Sequence, residues 1–441
     1  MIIYKDIYRQ MNFDSKIVVI DNGTGYTKMG YAGNTEPAFD IPTLIAETGT
    51  PNRNTSWIGS NKKTCDTLEF CIGDDARSLY RSHKVLNPIE GGIVRDWDLM
   101  EKFWHRSIFD YLRCDPEETV FVLTEPPMNP PDNREHVAEI MFETFNVKGL
   151  YIGVQAVFAL ISSSGIAENV SYTGTVLDSG DGVTHIIPVV DGFVISSCIK
   201  HIPLAGSNMT TFTANMLRDR NEKCPVEDVS RIAKMIKEKY GYVVESGDLL
   251  GELTKFDNRL KNDKLRKKFD KYIDGIDPVT NTKYSVAVGP ERFLAPEMFF
   301  NPEIVDERYR ASVDELIDKV VQLCPISVRR QLYANIALSG GSTLFKGFKE
   351  RLHNGVQRRV DERLKKYEMK SHTKVSSGVS IVDADRGERA RQPVPEIRGV
   401  AGRVDDVGKC RFRERLPHEG RVLREGFGHL QVQRGLLQVI L

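Results

Sequence analysis

The chain has 441 residues; 61 Lys and Arg balance 61 Asp and Glu, and 40% of the residues are hydrophobic. This length predicts more than one folded domain, and the zero net charge argues against a protein that coats nucleic acid or a charged membrane surface. No apolar stretch reaches the roughly 20 residues of a membrane-spanning helix, and the charged first residues exclude a signal peptide. The seven cysteines are widely spaced without a CxxC pair, which is typical of free thiols in a reducing compartment. We therefore expect a soluble intracellular protein that neither binds nucleic acid nor inserts into a membrane.

The first predicted element is a hairpin with a glycine-rich turn. An apolar run at residues 17–20 ends in Asp-Asn-Gly-Thr-Gly at residues 21–25, and residues 26–31 are typical of a second strand. The pattern returns at residues 175–190, where an apolar run leads into Asp-Ser-Gly-Asp-Gly at residues 178–182. The two leading aspartates lie 178 − 21 = 157 residues apart, a spacing typical of a domain and not of a solenoid repeat. The repeat predicts two similar α/β lobes.

Strand-like and helix-like segments alternate between the two hairpins. Residues 118–123 are apolar and β-branched, and residues 133–145 place apolar side chains at helical spacing. This alternation predicts an α/β architecture with a mixed sheet. Residues 44–72, rich in Thr, Asn, Gly and Ser, predict a mobile surface subdomain. The highly charged residues 226–284 are interpreted as helical, with the charge run forming a solvated face.

The paired turns indicate a phosphate site. Glycine lets the backbone approach a phosphate closely, and successive N–H groups form an anion-binding nest. An aspartate beside each turn would repel phosphate unless a divalent cation lay between them, so Asp21 and Asp178 predict Mg²⁺ held through water. Lys28 would supply positive charge to the phosphate oxygens. Each turn taken alone is equally well explained as an ordinary hairpin.

A third glycine pair, Gly340 and Gly341, follows the strand-like residues 336–338 and precedes an amphipathic segment. It is suited to wrap a nucleoside, with Leu344 and Phe345 packing on the base. The three loops together favour a nucleotide site over three unrelated turns.

The hairpins and the Gly-Gly loop resemble the superfold of actin, sugar kinases and heat-shock ATPases, in which two similar, ribonuclease-H-like lobes hold ATP between them. Residues 21–28 and 178–185 are similar to the actin family in particular. The resemblance covers residues 16–370. Finer stretches resemble one branch of actin-related proteins, and they are residues 123–127, 133–135, 149–152, 155–157, 198–203 and 328–330.

The resemblance implies a domain organisation. A first lobe would span residues 1–160 and include a mobile small subdomain at about 44–80. A second lobe would span residues 161–370 and include an inserted helical subdomain at about 205–293. Residues 249–283 lie where this branch is longer than actin.

The resemblance also implies ATP and Mg²⁺ as ligands. Lys237 and Glu238 match positions that hold the adenosine, although alone they are typical of an exposed helical pair. Gln155 and His185 match residues that orient the attacking water; because neither is a strong base, any hydrolysis would be slow and would act as a timer. The residues implied to contact the nucleotide are Asp21, Gly23, Thr24, Gly25, Lys28, Asp178, Gly180, Asp181, Gly182, Val183, Lys237, Glu238, Gly340, Gly341, Leu344 and Phe345.

The function that the resemblance implies is that of an ATP-binding subunit of the seven-subunit complex that nucleates branched actin filaments. The implied partners are actin-related protein 2 and the other subunits, actin filaments and monomers, and nucleation-promoting factors, in the cytoplasm and the actin-rich cortex and protrusions. The alternatives are a self-polymerising actin, a small-molecule kinase of the same superfold with Asp181 as its base, and an actin relative of nuclear chromatin complexes. Whether the chain acts as an enzyme stays open, with a structural role in nucleation as its main one.

Residues 371–441 depart from the resemblance. They contain no Tyr, Trp or Met, and Arg replaces Lys as the main cation. Synonymous codons can be chosen for Leu416 through Gln438 so that reading one base later gives Cys-His-Thr-Lys and continues into a sequence similar to the family's ending. We therefore hypothesise a shifted reading frame that begins between about Lys370 and Val400; the alternative is a divergent, disordered tail.

Overall fold

The computed structural model describes residues 16–51, 70–80, 83–163, 172–226, 228–277, 281–371 and 378–383. The strands are β1 (Lys16–Asn22), β2 (Tyr26–Tyr31), β3 (Phe39–Pro42), β4 (Ile45–Pro51), β5 (Phe70–Ile72), β6 (His83–Leu86), β7 (Ile89–Glu90), β8 (Ile93–Val94), β9 (Thr119–Glu125), β10 (Gly149–Val154), β11 (Gly174–Ser179), β12 (Thr184–Val190), β13 (Phe193–Val194), β14 (Lys200–Ile202), β15 (Tyr272–Ile276), β16 (Lys283–Ala287), β17 (Ile336–Ser339) and β18 (Ile381–Asp383). The α-helices are α1 (Gly73–Ser78), α2 (Trp97–Arg106), α3 (Pro131–Glu139), α4 (Gln155–Ser163), α5 (Gly206–Asp219), α6 (Val229–Tyr240), α7 (Leu249–Asp257), α8 (Asp263–Phe269), α9 (Glu291–Glu297), α10 (Val313–Leu323), α11 (Ile326–Ala334) and α12 (Phe348–Ser371).

The two central sheets have the same strand order. The first runs β3-β2-β1-β9-β10, with β1 antiparallel to β2 and parallel to β9. The second runs β13-β12-β11-β17-β18, with β11 antiparallel to β12 and parallel to β17. The sequence repeat is therefore a repeat of one topology, and the predicted α/β fold of two similar lobes is confirmed.

Register places equivalent residues at equivalent positions in the two hairpins. Asp21 lies opposite Lys28 across β1 and β2, and Asp178 lies opposite His185 across β11 and β12. Apolar residues of both inner strands are fully buried, which fixes the register because a slip of one residue would turn them to the wrong face. Both aspartates consequently sit at the carboxyl end of a central strand, where ligands of α/β sheets commonly bind.

Helix α4 joins the two lobes. Phe158 and Ile161 pack against the sheet of the first lobe, whereas Ala156 and Leu160 pack against the sheet of the second. The predicted boundary after residue 160 lies inside this helix, so the lobes share one apolar helix at that point.

The second lobe continues beyond residue 370. Strand β18 pairs in parallel with β17, and it occupies the place that β10 has in the first sheet. Strand β18 lies inside the range, from about Lys370 to Val400, in which the frame shift is hypothesised to begin. Residues 384–441, on which the rest of that hypothesis depends, lie outside the described residues.

The predicted inserted subdomain at about residues 205–293, called the inserted unit below, has its own core. Helices α5 and α6 and the β15–β16 hairpin bury a set of apolar side chains between them, which includes Leu217, Ile232, Ile236, Ile273 and Val286. The helical interpretation of residues 226–284 is wrong for this hairpin, whose strands pair antiparallel from Tyr272 to Ala287. Apolar residues of both strands complete the core of the unit, and this tertiary packing overrides the charge pattern.

Within the predicted small subdomain, β4 pairs with β5 and with β6, while residues 52–69 lie outside the described residues. Five cysteines among the described residues are free thiols, as predicted, and they are Cys71, Cys114, Cys198, Cys224 and Cys324. The other two cysteines are not among the described residues.

No helix in the described ranges is long and apolar enough to cross a membrane.

Candidate functional site

A cavity of about 580 Å³ lies between the lobes at the carboxyl ends of β1 and β11. This volume falls within the range of about 300–1,000 Å³ that is typical of small-molecule sites. The residues that line it include every site residue predicted from the sequence, which are Asp21, Gly23, Thr24, Gly25, Lys28, Gln155, Asp178, Gly180, Asp181, Gly182, Val183, His185, Lys237, Glu238, Gly340, Gly341, Leu344 and Phe345.

The carboxylate of Asp21 is held in place by two neighbouring side chains. Its Oδ1 accepts hydrogen bonds from the Thr124 hydroxyl and from Gln155 Nε2 at 2.9 Å. Thr124 lies near the end of β9, the parallel neighbour of β1, and Gln155 begins α4. The carboxylate is therefore fixed in orientation before any ligand enters.

The first glycine turn is fixed by hydrogen bonds from three neighbouring segments of the first lobe. Thr24 Oγ1 accepts from the Gly92 N–H at 2.9 Å, and the Thr24 carbonyl accepts from Asn87 Nδ2 at 2.6 Å. The Thr43 hydroxyl donates to the Gly23 carbonyl at 2.8 Å. These bonds hold the turn in one conformation, which preorganises it for binding.

The second glycine turn is anchored to the start of α5. The Gly180 carbonyl accepts from the Gly206 N–H at 3.0 Å and from the Ser342 hydroxyl at 2.8 Å. The Asp181 carbonyl accepts from the Ser207 N–H at 2.9 Å. Because Ser342 belongs to the third loop, the second and third loops are joined directly.

The third loop depends on glycine for its shape. Gly340 has φ +88°, and a Cβ there would lie 2.3 Å from the Ser179 carbonyl oxygen, so only glycine fits. Phe345 lies against Gly241 at the end of α6, and Leu344 is 41% exposed beside the cavity. The loop thus adds apolar side chains to the wall of the cavity.

The glycines of the three loops serve two different purposes. A Cβ on Gly25 would lie 2.8 Å from Asp181 Cβ, and one on Gly182 would lie 2.7 Å from Thr24 Oγ1. These two glycines let the turns of the two lobes meet, a role that the sequence did not reveal. A Cβ on Gly180 or Gly341 would meet no atom within 4 Å, so these two leave open space where a ligand can approach the backbone.

The residues present fit an anionic ligand with a hydrated cation. Asp21 and Asp178 each bring a carboxylate to the cavity, and Lys28 brings a positive charge. Carboxylates holding a cation that keeps several waters are typical of Mg²⁺ sites. The open space at Gly180 and Gly341 lets phosphate oxygens approach the backbone of the second and third loops.

Lys237 and Glu238 are placed differently from a simple exposed pair. Lys237 is 8% exposed, and its Nζ donates to the Gly206 carbonyl at 2.9 Å. Burial lowers the pKa of Lys237, an effect opposed by the nearby Asp181 carboxylate. Glu238 is exposed, with Oε1 3.9 Å from Lys234 Nζ. Both residues line the cavity, and Glu238 is the solvent-exposed member of the pair.

His185 is held neutral. It is 8% exposed, and burial, assisted by the nearby His201, lowers its pKa to about 4. A neutral imidazole can orient a water molecule by a hydrogen bond, but a group with this pKa is a poor general base at pH 7. The amide of Gln155 is likewise no base, so the pair suits positioning and not proton abstraction.

This burial predicts a pH dependence of stability. Because the folded pKa of His185 lies near 4 and its ordinary value is 6.5, the unfolded state binds the proton first as the pH falls. The free energy of unfolding should decline below pH 6.5, by about 2 kcal/mol at pH 5 from this group alone. Urea unfolding at pH 7 and pH 5 should show a smaller decline for His185→Gln than for the wild type; equal declines would contradict the assignment.

Several residues at the site were not predicted. Thr124, Ser342 and Gly92 support the loops, while Tyr26 and Lys234 face each other from the two lobes. The sequence held one signal for these residues. It concerned Thr124, a polar residue that directly follows the apolar run of β9. The remaining contacts join segments that are distant in sequence.

Comparison with known proteins agrees with this geometry. The model of the actin family matches residues 13–381, so the chain belongs to the actin family, and the predicted membership is confirmed. Members of this family bind a nucleotide and a divalent cation.

Within the family, the chain is similar to proteins named Actin-related protein 3. It is 49% identical to that of Dictyostelium discoideum over 412 residues, which cover 90% of this chain and 96% of the relative. It is 51% identical to that of Caenorhabditis elegans over 353 residues, or 78% and 81% of the two chains. It is 48% identical to that of Drosophila melanogaster over 349 residues, or 79% and 81%. The finer resemblance seen in the sequence is to this same branch.

Proposed function

We propose that this protein is the ATP-binding actin-related subunit of the complex that nucleates branched actin filaments. The observation that carries the proposal is sequence identity. About half of the aligned residues are identical to those of Actin-related protein 3 proteins, and the alignments cover most of the chain. The cavity between two equivalent lobes supports it, because it gathers all predicted contacts in one place.

In this role the chain pairs with actin-related protein 2 and imitates the end of a filament onto which actin monomers add. The other subunits of the seven-subunit complex, the mother filament and nucleation-promoting factors are its further partners. The proposal places it in the cytoplasm, in the actin-rich cortex and protrusions.

The proposed ligands are ATP and Mg²⁺. Asp21 and Asp178 would hold the cation through water, and Lys28 with the two glycine turns would bind the phosphates. Bound Mg²⁺ would neutralise phosphate charge between the two carboxylates. Because the turns belong to different lobes and meet at Gly182 and Thr24, a ligand that contacts both turns favours the closed arrangement, which is a shift of population and not turnover.

Gln155 is proposed to position water for slow hydrolysis. Gln155→Ala should slow the release of phosphate about tenfold while changing ATP affinity less than about threefold, because the lost contact acts on the reacting water. Single-turnover phosphate release and equilibrium ATP binding, measured on the same preparation, test this. Equal losses in both would show that Gln155 serves only to hold the Asp21 carboxylate.

A sedimentation assay separates this function from that of a self-polymerising actin. The insertion from residue 249 to 283 forms helices α7 and α8 and the start of a hairpin, which adds bulk that an actin filament contact would have to accommodate. The purified protein with ATP and Mg²⁺ should stay in the supernatant at concentrations where actin pellets. Robust self-assembly would overturn the proposal in favour of actin.

A further inference from the structure

One contact between the two lobes lies directly beside the first glycine turn, which the Tyr26 carbonyl closes by accepting from the Gly23 N–H at 3.1 Å. Tyr26 is the first residue of β2, and Lys234 lies in α6 of the inserted unit. Lys234 Nζ donates a hydrogen bond to Tyr26 Oη at 2.9 Å and lies 4.4 Å from the centroid of the Tyr26 ring. One ammonium group therefore makes both a hydrogen bond and a cation–π contact with one tyrosine.

The contact lies where the cavity opens to solvent. Both residues line the cavity, the Lys234 side chain is 25% exposed, and the neighbouring Glu238 side chain is 53% exposed. Partial burial strengthens the attraction between a cation and an aromatic ring, since less water competes for the charge. The pair thus connects the two lobes at a partly exposed part of the cavity wall.

Helix α6 links this contact to the second glycine turn. Lys237 lies one turn after Lys234 on the same face of the helix. Its Nζ donates to the Gly206 carbonyl at 2.9 Å, and the Gly206 N–H donates to the Gly180 carbonyl at 3.0 Å. One helix face therefore holds the first lobe through Lys234 and the second turn through Lys237.

We propose that the Tyr26–Lys234 pair is a latch across the opening of the cavity and that its release limits the rate at which bound nucleotide leaves. The proposal rests on the nucleotide site proposed above. Separating the lobes breaks this pair, whereas the Lys237 contact stays within one lobe and is kept. The latch stabilises the closed arrangement with or without ligand, so its loss raises the dissociation rate of the nucleotide.

The test measures dissociation of etheno-ATP, a fluorescent ATP analogue, from the full-length protein in its native assembly, with Mg²⁺ present and excess ATP as the chase. Lys234→Met and Tyr26→Leu should each raise the dissociation rate about fivefold. The double variant should be no faster than the faster single variant, because either change already opens the latch. Tyr26→Phe, which keeps the ring and loses the hydroxyl, should fall between wild type and Tyr26→Leu.

Lys239→Met is the matched control. It removes the same charge from an exposed position of the same helix and should leave the rate unchanged. Lys234→Arg, which keeps a cation and a donor, should restore a rate close to the wild type and thereby show that the helix still folds.

Two results would overturn the latch. The first is a dissociation rate of etheno-ATP from Lys234→Met that equals the wild-type rate. The second is a double variant whose increase in dissociation rate is the product of the two single-variant increases. Failure of the wild type to bind etheno-ATP would overturn both the latch and the proposed nucleotide site. Normal binding with unchanged release in all variants would overturn the latch alone.

Discussion

Gly182→Val should lower the affinity for ATP with Mg²⁺ at least about 100-fold, a loss of about 3 kcal/mol in binding free energy. A Cβ at this position would lie 2.7 Å from Thr24 Oγ1 and 3.0 Å from Thr24 Cβ. Valine adds two further methyl groups, so the turns of the two lobes must move apart. The phosphates would then lose simultaneous contact with both turns.

Equilibrium titration with ATP measures this loss, and thermal unfolding without nucleotide shows whether the variant still folds. Gly378→Val is the matched control, because a Cβ there would meet no atom within 4 Å and Gly378 lies outside the cavity. Affinity equal to the wild type in Gly182→Val would contradict the assignment of the two turns to one ligand.

Asp21→Ala should remove most of the dependence of ATP binding on Mg²⁺. The change deletes one of the two carboxylates proposed to hold the cation through water. It also leaves the Thr124 hydroxyl and the Gln155 amide without their shared acceptor, and unmet donors near a buried strand end are costly. We expect a loss of about 10- to 100-fold in affinity with Mg²⁺ and a much smaller loss in EDTA.

The comparison of titrations with Mg²⁺ and with EDTA separates the cation from the fold. Asp219→Ala, which removes an exposed carboxylate at the end of α5, should bind as the wild type does under both conditions. If Mg²⁺ still raised the affinity of Asp21→Ala as much as that of the wild type, Asp21 would have no part in holding the cation.

The parts of the site predicted from the sequence are those encoded by short, local patterns. A strand, an aspartate and a glycine turn are contiguous, so Asp21 and Asp178 could be located without a structure. Their repetition predicts two equivalent lobes, and the sheets confirm this with one shared strand order. The third loop was predictable for the same reason, since Gly340 and Gly341 follow an apolar strand directly.

The parts that were missed depend on contacts between distant segments. The sequence around Gly182 gives no indication that this residue faces Thr24. Likewise, nothing in the sequence around Lys234 indicates that its side chain reaches Tyr26, which is more than 200 residues away. The β15–β16 hairpin was interpreted as helical because its charges dominate the sequence, whereas Ile273 and Val286 are buried in the core of the inserted unit. Tertiary packing decides such cases, and a local pattern does not contain it.

The proposed role of this protein in branched nucleation is tested most directly by affinity purification of the tagged, full-length protein from its own cells under mild conditions. We predict that actin-related protein 2 and the smaller subunits of the seven-subunit complex co-purify in equal amounts with it and remain together on gel filtration. A chain that elutes alone, or only with copies of itself, would contradict the proposed function.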